Sequence, residues 1–388
     1  MNQKKVILIL FIITSLLFIF VTCNDDIFYT ISLETPILEP MIKGSPTNFV
    51  LFPNAVDNAD TKMYVASGRT LYNYKDNKWE KETLDKHIIQ IAATENYLYA
   101  LCFKDTDKAV VREVKRRSVT EPWAEVVIDA DNYDFHTIYA AGQTIYIGAQ
   151  KSKTNEFAVI SITESGVSNI VYENENALLV GAAYNGSTYL CTRRGILIDG
   201  TMNSVLNQTF VGIINLPDNS IVAMSRSGNL YEVTTEIVTP AKTSFGDTRQ
   251  ATSAIAVWED KLDTSKKLLL IGRGDLGYSP TSGFTHGYVE LMLNETGGLI
   301  LNANNLSYPF REPGPYDKDR DKDFPTQVVH STVDNFRRYA SSLGINPLNH
   351  LFQASDGIIF ASTQRNGVWS YRDRNGTPQW NAETEPIR

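Results

Sequence analysis

The chain has 388 residues, with 36 Lys+Arg against 44 Asp+Glu for a formal net charge of -8, and 43% of it is hydrophobic. That balance argues against a general nucleic-acid or anionic-membrane binder, since either needs a basic face to neutralise phosphates, although it leaves room for a local basic patch. The 19 Tyr and 17 Phe favour sheet over helix, and the length suits a repeat-built all-β unit.

Lys4 and Lys5 precede an apolar run from Val6 to Val21, interrupted only by Thr14 and Ser15. A basic start followed by such a run predicts a secretory signal and an exported chain. The run ends Phe20-Val21-Thr22-Cys23. This resembles the bacterial lipoprotein signal, which implies removal of residues 1–22, acylation of Cys23 and a lipid anchor in a cell-envelope membrane. The usual pattern has Leu in place of Phe20 and Gly or Ala in place of Thr22; looser forms of this kind occur in spirochaetal lipoproteins. An uncleaved helical anchor is the alternative. Residues 23–45 are polar and Pro-containing and are expected to be a tether, with a strand at Ile27 to Leu33.

From residue 46 a pattern repeats: an apolar strand, a polar turn, a second strand ending on a small residue, another turn, a third strand and a fainter fourth. First strands fall at Asn48 to Phe52, Ile88 to Ala92, Thr137 to Ala140, Leu178 to Gly181, Val211 to Ile214, Ser253 to Val257 and His350 to Ala354. The small residues are Ser67, Cys102, Ala149, Thr192, Ser225, Gly272 and Ser362. Their spacing of roughly 35 to 45 residues, doubled before the last, is the period of a four-stranded propeller blade. Crowding towards a central axis offers a reason for small side chains there. Cys102 and Cys191, at strand ends in different repeats, read as small buried residues rather than as a bridge.

The predicted fold is an all-β, seven-bladed β-propeller of four-stranded antiparallel blades over residues 46–388, with a β-sandwich or β-helix as the alternative. The pattern from Ser45 to Arg388 resembles seven-bladed β-propellers in general. The Trp-Asp and Gly-His pairs of WD40 blades and the paired glycines of Kelch repeats are absent. Ser362 to Trp369 resembles the Asp-box of sialidase-type propellers with the Asp missing and the Gly displaced by one. Signal and body together resemble a propeller lipoprotein of the bacterial cell envelope.

Two insertions stand out, 273–287 between second and third strands of the sixth repeat and 307–349 before the seventh. Antiparallel alternation puts both on one face, and long loops carry function. The first opens with Arg273-Gly274-Asp275, which resembles the tripeptide through which adhesive proteins engage integrins. Tyr278, Phe284, Tyr308, Phe310 and Tyr316 complete a candidate partner-binding patch, whose bland reading is that these rings pin the loops to the blades. Asp317 to Asp323 alternates acid and base but lacks the Gly and closing Glu of a calcium loop. Val328 to Leu343 reads as a short amphipathic helix ended by Gly344. Lys115-Arg116-Arg117 reads as a solvated loop or strand end.

His87, His136, His286, His330 and His350 show no metal-ligand spacing, and no nucleophile elbow, P-loop or dinucleotide fingerprint occurs. No catalytic residue, metal ligand or cofactor is therefore assigned. The expected function is a lipid-anchored envelope binding or scaffolding module whose partners are the membrane and a protein or glycan, without nucleic acid. A propeller hydrolase or lyase with dispersed catalytic residues and an Arg273-Gly274-Asp275 adhesin are the alternatives.

Overall fold

The computed structural model describes residues 41–52, 61–104, 111–130, 132–154, 156–175, 178–203, 208–234, 238–242, 250–259, 267–274, 287–299, 347–373 and 378–383. The compact unit that holds them spans Pro40–Arg388. Its strands form six four-stranded sheets and one of three strands, each antiparallel with strand order in space equal to order in the chain. First strands are Val50–Phe52, Ile88–Ala93, Tyr133–Ala141, Leu179–Asn185, Phe210–Asn215, Gln250–Glu259 and Leu348–Gln353. Second strands are Lys62–Ser67, Leu98–Lys104, Thr144–Lys151, Ser187–Thr192, Ile221–Ser225, Lys267–Gly274 and Ile359–Thr363. Third strands are Thr70–Lys75, Val111–Arg117, Glu156–Thr163, Ile196–Ile198, Leu230–Val233, Gly287–Met292 and Val368–Asp373.

The structure is a β-propeller, with one correction to the expectation of seven four-stranded blades. Six sheets have four strands, whereas the sixth in chain order, Gln250–Glu259 with Lys267–Gly274 and Gly287–Met292, has three described strands. No helix occurs among the described residues; the helix expected over Val328 to Leu343 and the strand expected at Ile27 to Leu33 lie outside them. Outer strands are short or exposed, Ala124–Glu125 being only two residues long, as edge strands with one wet face should be.

A separate apolar cluster fills every seam between neighbouring sheets. Between the third and fourth sheets, for example, Val159 packs with Leu190 and Leu197. The seam between the last sheet and the first closes the ring around Phe49, Tyr74 and Phe360, with the Tyr74 and Phe360 rings 4.8 Å apart and edge-on. Chain segments from both ends of the unit cross that seam. Met41 N–H donates to Glu383 O at 2.6 Å, and Gly367 N–H donates to Gly44 O at 3.0 Å. The buried Glu383 carboxylate accepts from Trp79 Nε1 of the first sheet at 2.8 Å and from the Ser370 hydroxyl of the last.

The small residues that end the second strands have a different cause from the one expected. First strands line the axis and second strands stand one layer out, so axial crowding is not what selects them. In six sheets the first strand carries a register shift near its start, the mark of a β-bulge. Cys102, Ala149, Thr192 and Ser225 pair with the residue just before the shift, namely Ile88, Phe135, Leu179 and Phe210. At Gly272, the small residue of the sixth sheet, a Cβ would collide with Thr252 Oγ1 and stand 2.7 Å from Ala254 Cβ, both in the irregular stretch of its first strand. Cys102 and Cys191 are free and buried, as the sequence predicted, and burial pushes the Cys102 thiol up to about 12.

Candidate functional site

Residues from the first strands of all seven sheets line a central cavity of about 980 Å³. Val50, Ile89, Tyr139, Val180, Ile214, Val257 and Phe352 supply the apolar part of its wall, and polar groups, among them those of Asn48, Gln90, Ser253, Asn349 and Gln353, supply nearly as much. Several of those polar side chains are occupied in holding the ring. Asn48 Nδ2 donates to Ile91 O at 2.7 Å and Asn48 Oδ1 accepts from Ile91 N at 3.1 Å, so one amide imitates a strand partner across the first seam. Gln90 Oε1 accepts from Ile138 N across the next at 3.1 Å. Gln353 does the same double duty with Glu259 N and O at 3.0 and 2.8 Å. Between the fourth and fifth sheets a glycine replaces the clip: a Cβ on Gly181 would stand 2.9 Å from Ile213 Cγ2 and 3.2 Å from Ile213 N.

The two ends of this channel differ. Second-to-third turns and sheet-to-sheet links share one end, here the top face, because Gly68 O accepts from Ile88 N at 2.8 Å, Arg193 O from Phe210 N at 3.2 Å and Arg226 O from Ala251 N at 2.8 Å. Each turn is thereby tied to the start of the following sheet. First-to-second and third-to-fourth turns form the bottom face. Described top-face turns hold Arg69, Lys153, Arg193, Arg194, Arg226 and Arg365, all exposed, and no Asp or Glu. Described bottom-face turns hold Asp76, Glu95, Glu121, Glu164, Asp199, Asp218, Glu295 and Asp356, and no Lys or Arg.

Hydroxyl side chains fix the backbone of the basic turns. Thr192 Oγ1 donates to Gly195 O at 2.8 Å and accepts from Gly195 N at 3.1 Å, which folds Arg193 and Arg194 into one tight turn. Thr363 Oγ1 accepts from Asn366 N at 2.8 Å around Arg365, and Ser225 Oγ accepts from Asn229 N at 3.0 Å beyond Arg226. Near the mouth Arg112 Nη1 lies 2.9 Å from His136 Nδ1, and its guanidinium stands 5.7 Å from the centre of the Phe103 ring. Burial first, then the charges of Arg112 and Arg193, hold His136 below its ordinary value. His350 Nδ1 accepts from Phe49 N at 3.2 Å, and burial pushes that imidazole down to about 4.

Carboxylates on the top face are confined to sheet-to-sheet links and strand ends. Lys115 Nζ lies 2.7 Å from Asp85, and Lys151 pairs with Glu173 at 3.0 Å and Glu156 at 3.1 Å. Asp129 and Asp134 are exposed. The run Lys115-Arg116-Arg117 is a strand end, one of the two places its sequence indicates, but it is half-buried rather than solvated. It ends a third strand, with Arg116 4.5 Å over the Tyr97 ring and Arg117 5.5 Å from both Tyr64 and Trp123. Placed in a strand, the run is engaged by Tyr97 and Trp123 of its own sheet and by Tyr64 of the neighbouring one.

Of the sequence-predicted site residues, Arg273 belongs to the strand Lys267–Gly274, where it pairs with Ala251 at the same end of its sheet as the other basic turns. Cys23, Asp275, Tyr278, Phe284, Tyr308, Phe310 and Tyr316 lie outside the described residues, as do His286 and His330. Sequence reading missed the arginines of the turns. Their signal was a Lys or Arg within three positions of each small residue, in Ser67-Gly68-Arg69, Thr192-Arg193, Ser225-Arg226 and Ser362 to Arg365. Among the described residues no group of three or more His, Cys, Asp and Glu side chains gathers.

No protein-family model matches the chain, and no curated protein matches it. Solved structures do. The chain is similar to YCF48 from Cyanidioschyzon merolae at 10% identity and a TM-score of 0.50, covering 85% of this chain and 96% of that one. The WD40 β-propeller domain of Doa1 (12% identity, TM-score 0.49, 87% and 96% covered) and a streptogramin B lyase (9%, 0.49, 89% and 96%) also match. At such identities the likeness is one of fold.

Proposed function

We propose that this chain is an exported binding module, held on an envelope membrane through acylated Cys23, that presents its top face to a protein or glycan partner. The observation that carries this reading is the bracing of that face. Each described turn is tied to the next sheet by a backbone hydrogen bond or closed by a hydroxyl, so the loops start from fixed positions and lose little freedom when a partner docks. The insertions expected at 273–287 and 307–349, of which 275–286 and 307–346 lie outside the described residues, are proposed as part of that surface.

A bulky mask tests the reading. Cysteine introduced at exposed Gln364 on the top face or at exposed Ser355 on the bottom face is coupled to a polyethylene-glycol maleimide, the native Cys102 and Cys191 being buried. Capture of the envelope partner should be lost with the mask at position 364 and kept with it at 355; the reverse pattern contradicts the proposal. For the anchor, Cys23→Ala should abolish incorporation of a labelled fatty acid and release the chain from the membrane fraction. An unchanged lipid label in that variant counts against acylation.

A further inference from the structure

The top-face turns place cationic side chains around a channel mouth on a protein that is acidic as a whole. A local excess of this kind survives the net charge because its members are exposed, lie on one face, and are separated from the acidic turns by the length of the strands. It is also ordered in advance, through Thr192, Ser225 and Thr363, so that the arginines of three turns are held on fixed backbone.

The distribution selects among anionic partners. A broad anionic surface, such as a membrane of acidic lipids, would press exposed Asp129 of a sheet-to-sheet link and exposed Asp134 at the start of a first strand against like charge. A narrow partner need not touch them. Arginine predominates among the basic turn residues, and its planar fork matches a carboxylate through two parallel hydrogen bonds. Between the turns the channel offers Phe103 and Ile89 to an apolar side chain. We infer that the top face binds an acidic polypeptide segment, with its carboxylates on the arginines of the turns and an apolar side chain in the channel mouth. The inference rests on the reading of the top face as the binding face and adds the chemistry of what it binds.

The test uses the full-length chain and a fluorescein-labelled oligo-glutamate peptide with one central leucine, read by fluorescence anisotropy. Saturable binding is expected, weakening steeply between low salt and physiological salt as exposed charge pairs are screened. Each arginine should contribute about 2- to 5-fold, so Arg194→Glu, Arg226→Glu and Arg365→Glu together should weaken binding by at least about 10-fold. Glu95→Lys with Asp218→Lys on the bottom face should leave it within about 2-fold. Unchanged affinity in the triple variant, or equal binding of an oligo-lysine peptide, overturns the inference. Tighter binding of phosphatidylglycerol vesicles or a heparin oligosaccharide than of the peptide also overturns it, by assigning the face to another class of anion. If the mask at position 364 blocks the native partner while oligo-glutamate fails to bind, the binding face stands and its acidic specificity falls.

Discussion

The top and bottom faces of the propeller are built from the same antiparallel strands, yet they treat charge in opposite ways. On the bottom face the described turns carry carboxylates only, several of which shape their own turns: Asp218 accepts from Ser220 N at 3.0 Å, and Asp356 from Ile358 N at 3.0 Å. Short acceptors that cap a tight turn favour Asp and Asn there. On the top face the turns are capped by Thr192, Ser225 and Thr363 from the strand ends, which frees the turn positions themselves for long cationic side chains. Hydroxyl caps occur on the bottom face too, where Thr163 at a strand end accepts from Val167 N at 3.2 Å around Glu164, so the charge of the turns rather than their capping separates the two faces.

That contrast can be broken in a graded way. The largest effect is expected at Glu383, the buried top-face carboxylate that joins the last sheet to the first. Glu383→Ala leaves the Trp79 indole and the Ser370 hydroxyl without their acceptor and should destabilise by about 2–4 kcal/mol in urea unfolding. A loss below about 0.5 kcal/mol would mean that the ring closes without this clasp.

Acid should act on the same seam. Burial depresses the His350 imidazole to about 4 in the folded chain, against an ordinary value near 6.5, so between those limits the unfolded chain binds the extra proton. Stability contributed by neutral His350 is complete above about pH 6.5 and is lost as pH falls towards 4, an effect of about 2–3 kcal/mol. His136, also held low, adds to the loss with the same sign. Urea midpoints against pH should therefore slope downward below pH 6.5, and less steeply in His350→Gln, which keeps an acceptor for Phe49 N. Equal slopes in both proteins would contradict this assignment.

A smaller change is expected when a cap is removed. Thr192→Val keeps the shape and removes the hydroxyl contacts of the Arg193–Arg194 turn, costing about 1–2 kcal/mol and raising amide exchange at Gly195. Smallest of all should be the charge reversals. Arg194→Glu and Asp218→Lys both lie on exposed turns and should each shift stability by less than about 0.5 kcal/mol. Thermal melts that separate them by more than that would show that turn charge serves the fold rather than a partner.

Much of this fold was legible in the sequence because period-2 patterning and small strand ends are local. Ile88–Ala93 begins where the sequence places that first strand, and Val50–Phe52 ends where the sequence ends the one before it. The β-bulges were not legible, since one extra residue such as Val180 or Asn349 merely blurs an alternation. Asn48 and Gln90 were unreadable for another reason: their partners are backbone groups 43 and 48 residues away, which impose no residue type. The site illustrates the same limit. Lys115-Arg116-Arg117 drew notice as a run and proved to be engaged within its own sheet and with its neighbours, whereas Arg69, Arg194, Arg226 and Arg365 are single charges that only the fold collects onto one face.

Amide hydrogen exchange of the full-length chain, with and without the oligo-glutamate peptide, tests whether the top face and not the bottom one receives an acidic segment. Protection should appear in the turns around Arg194, Arg226 and Arg365 and be absent around Glu95, Asp218 and Asp356. Protection centred on the second set, or spread evenly over both, would contradict it.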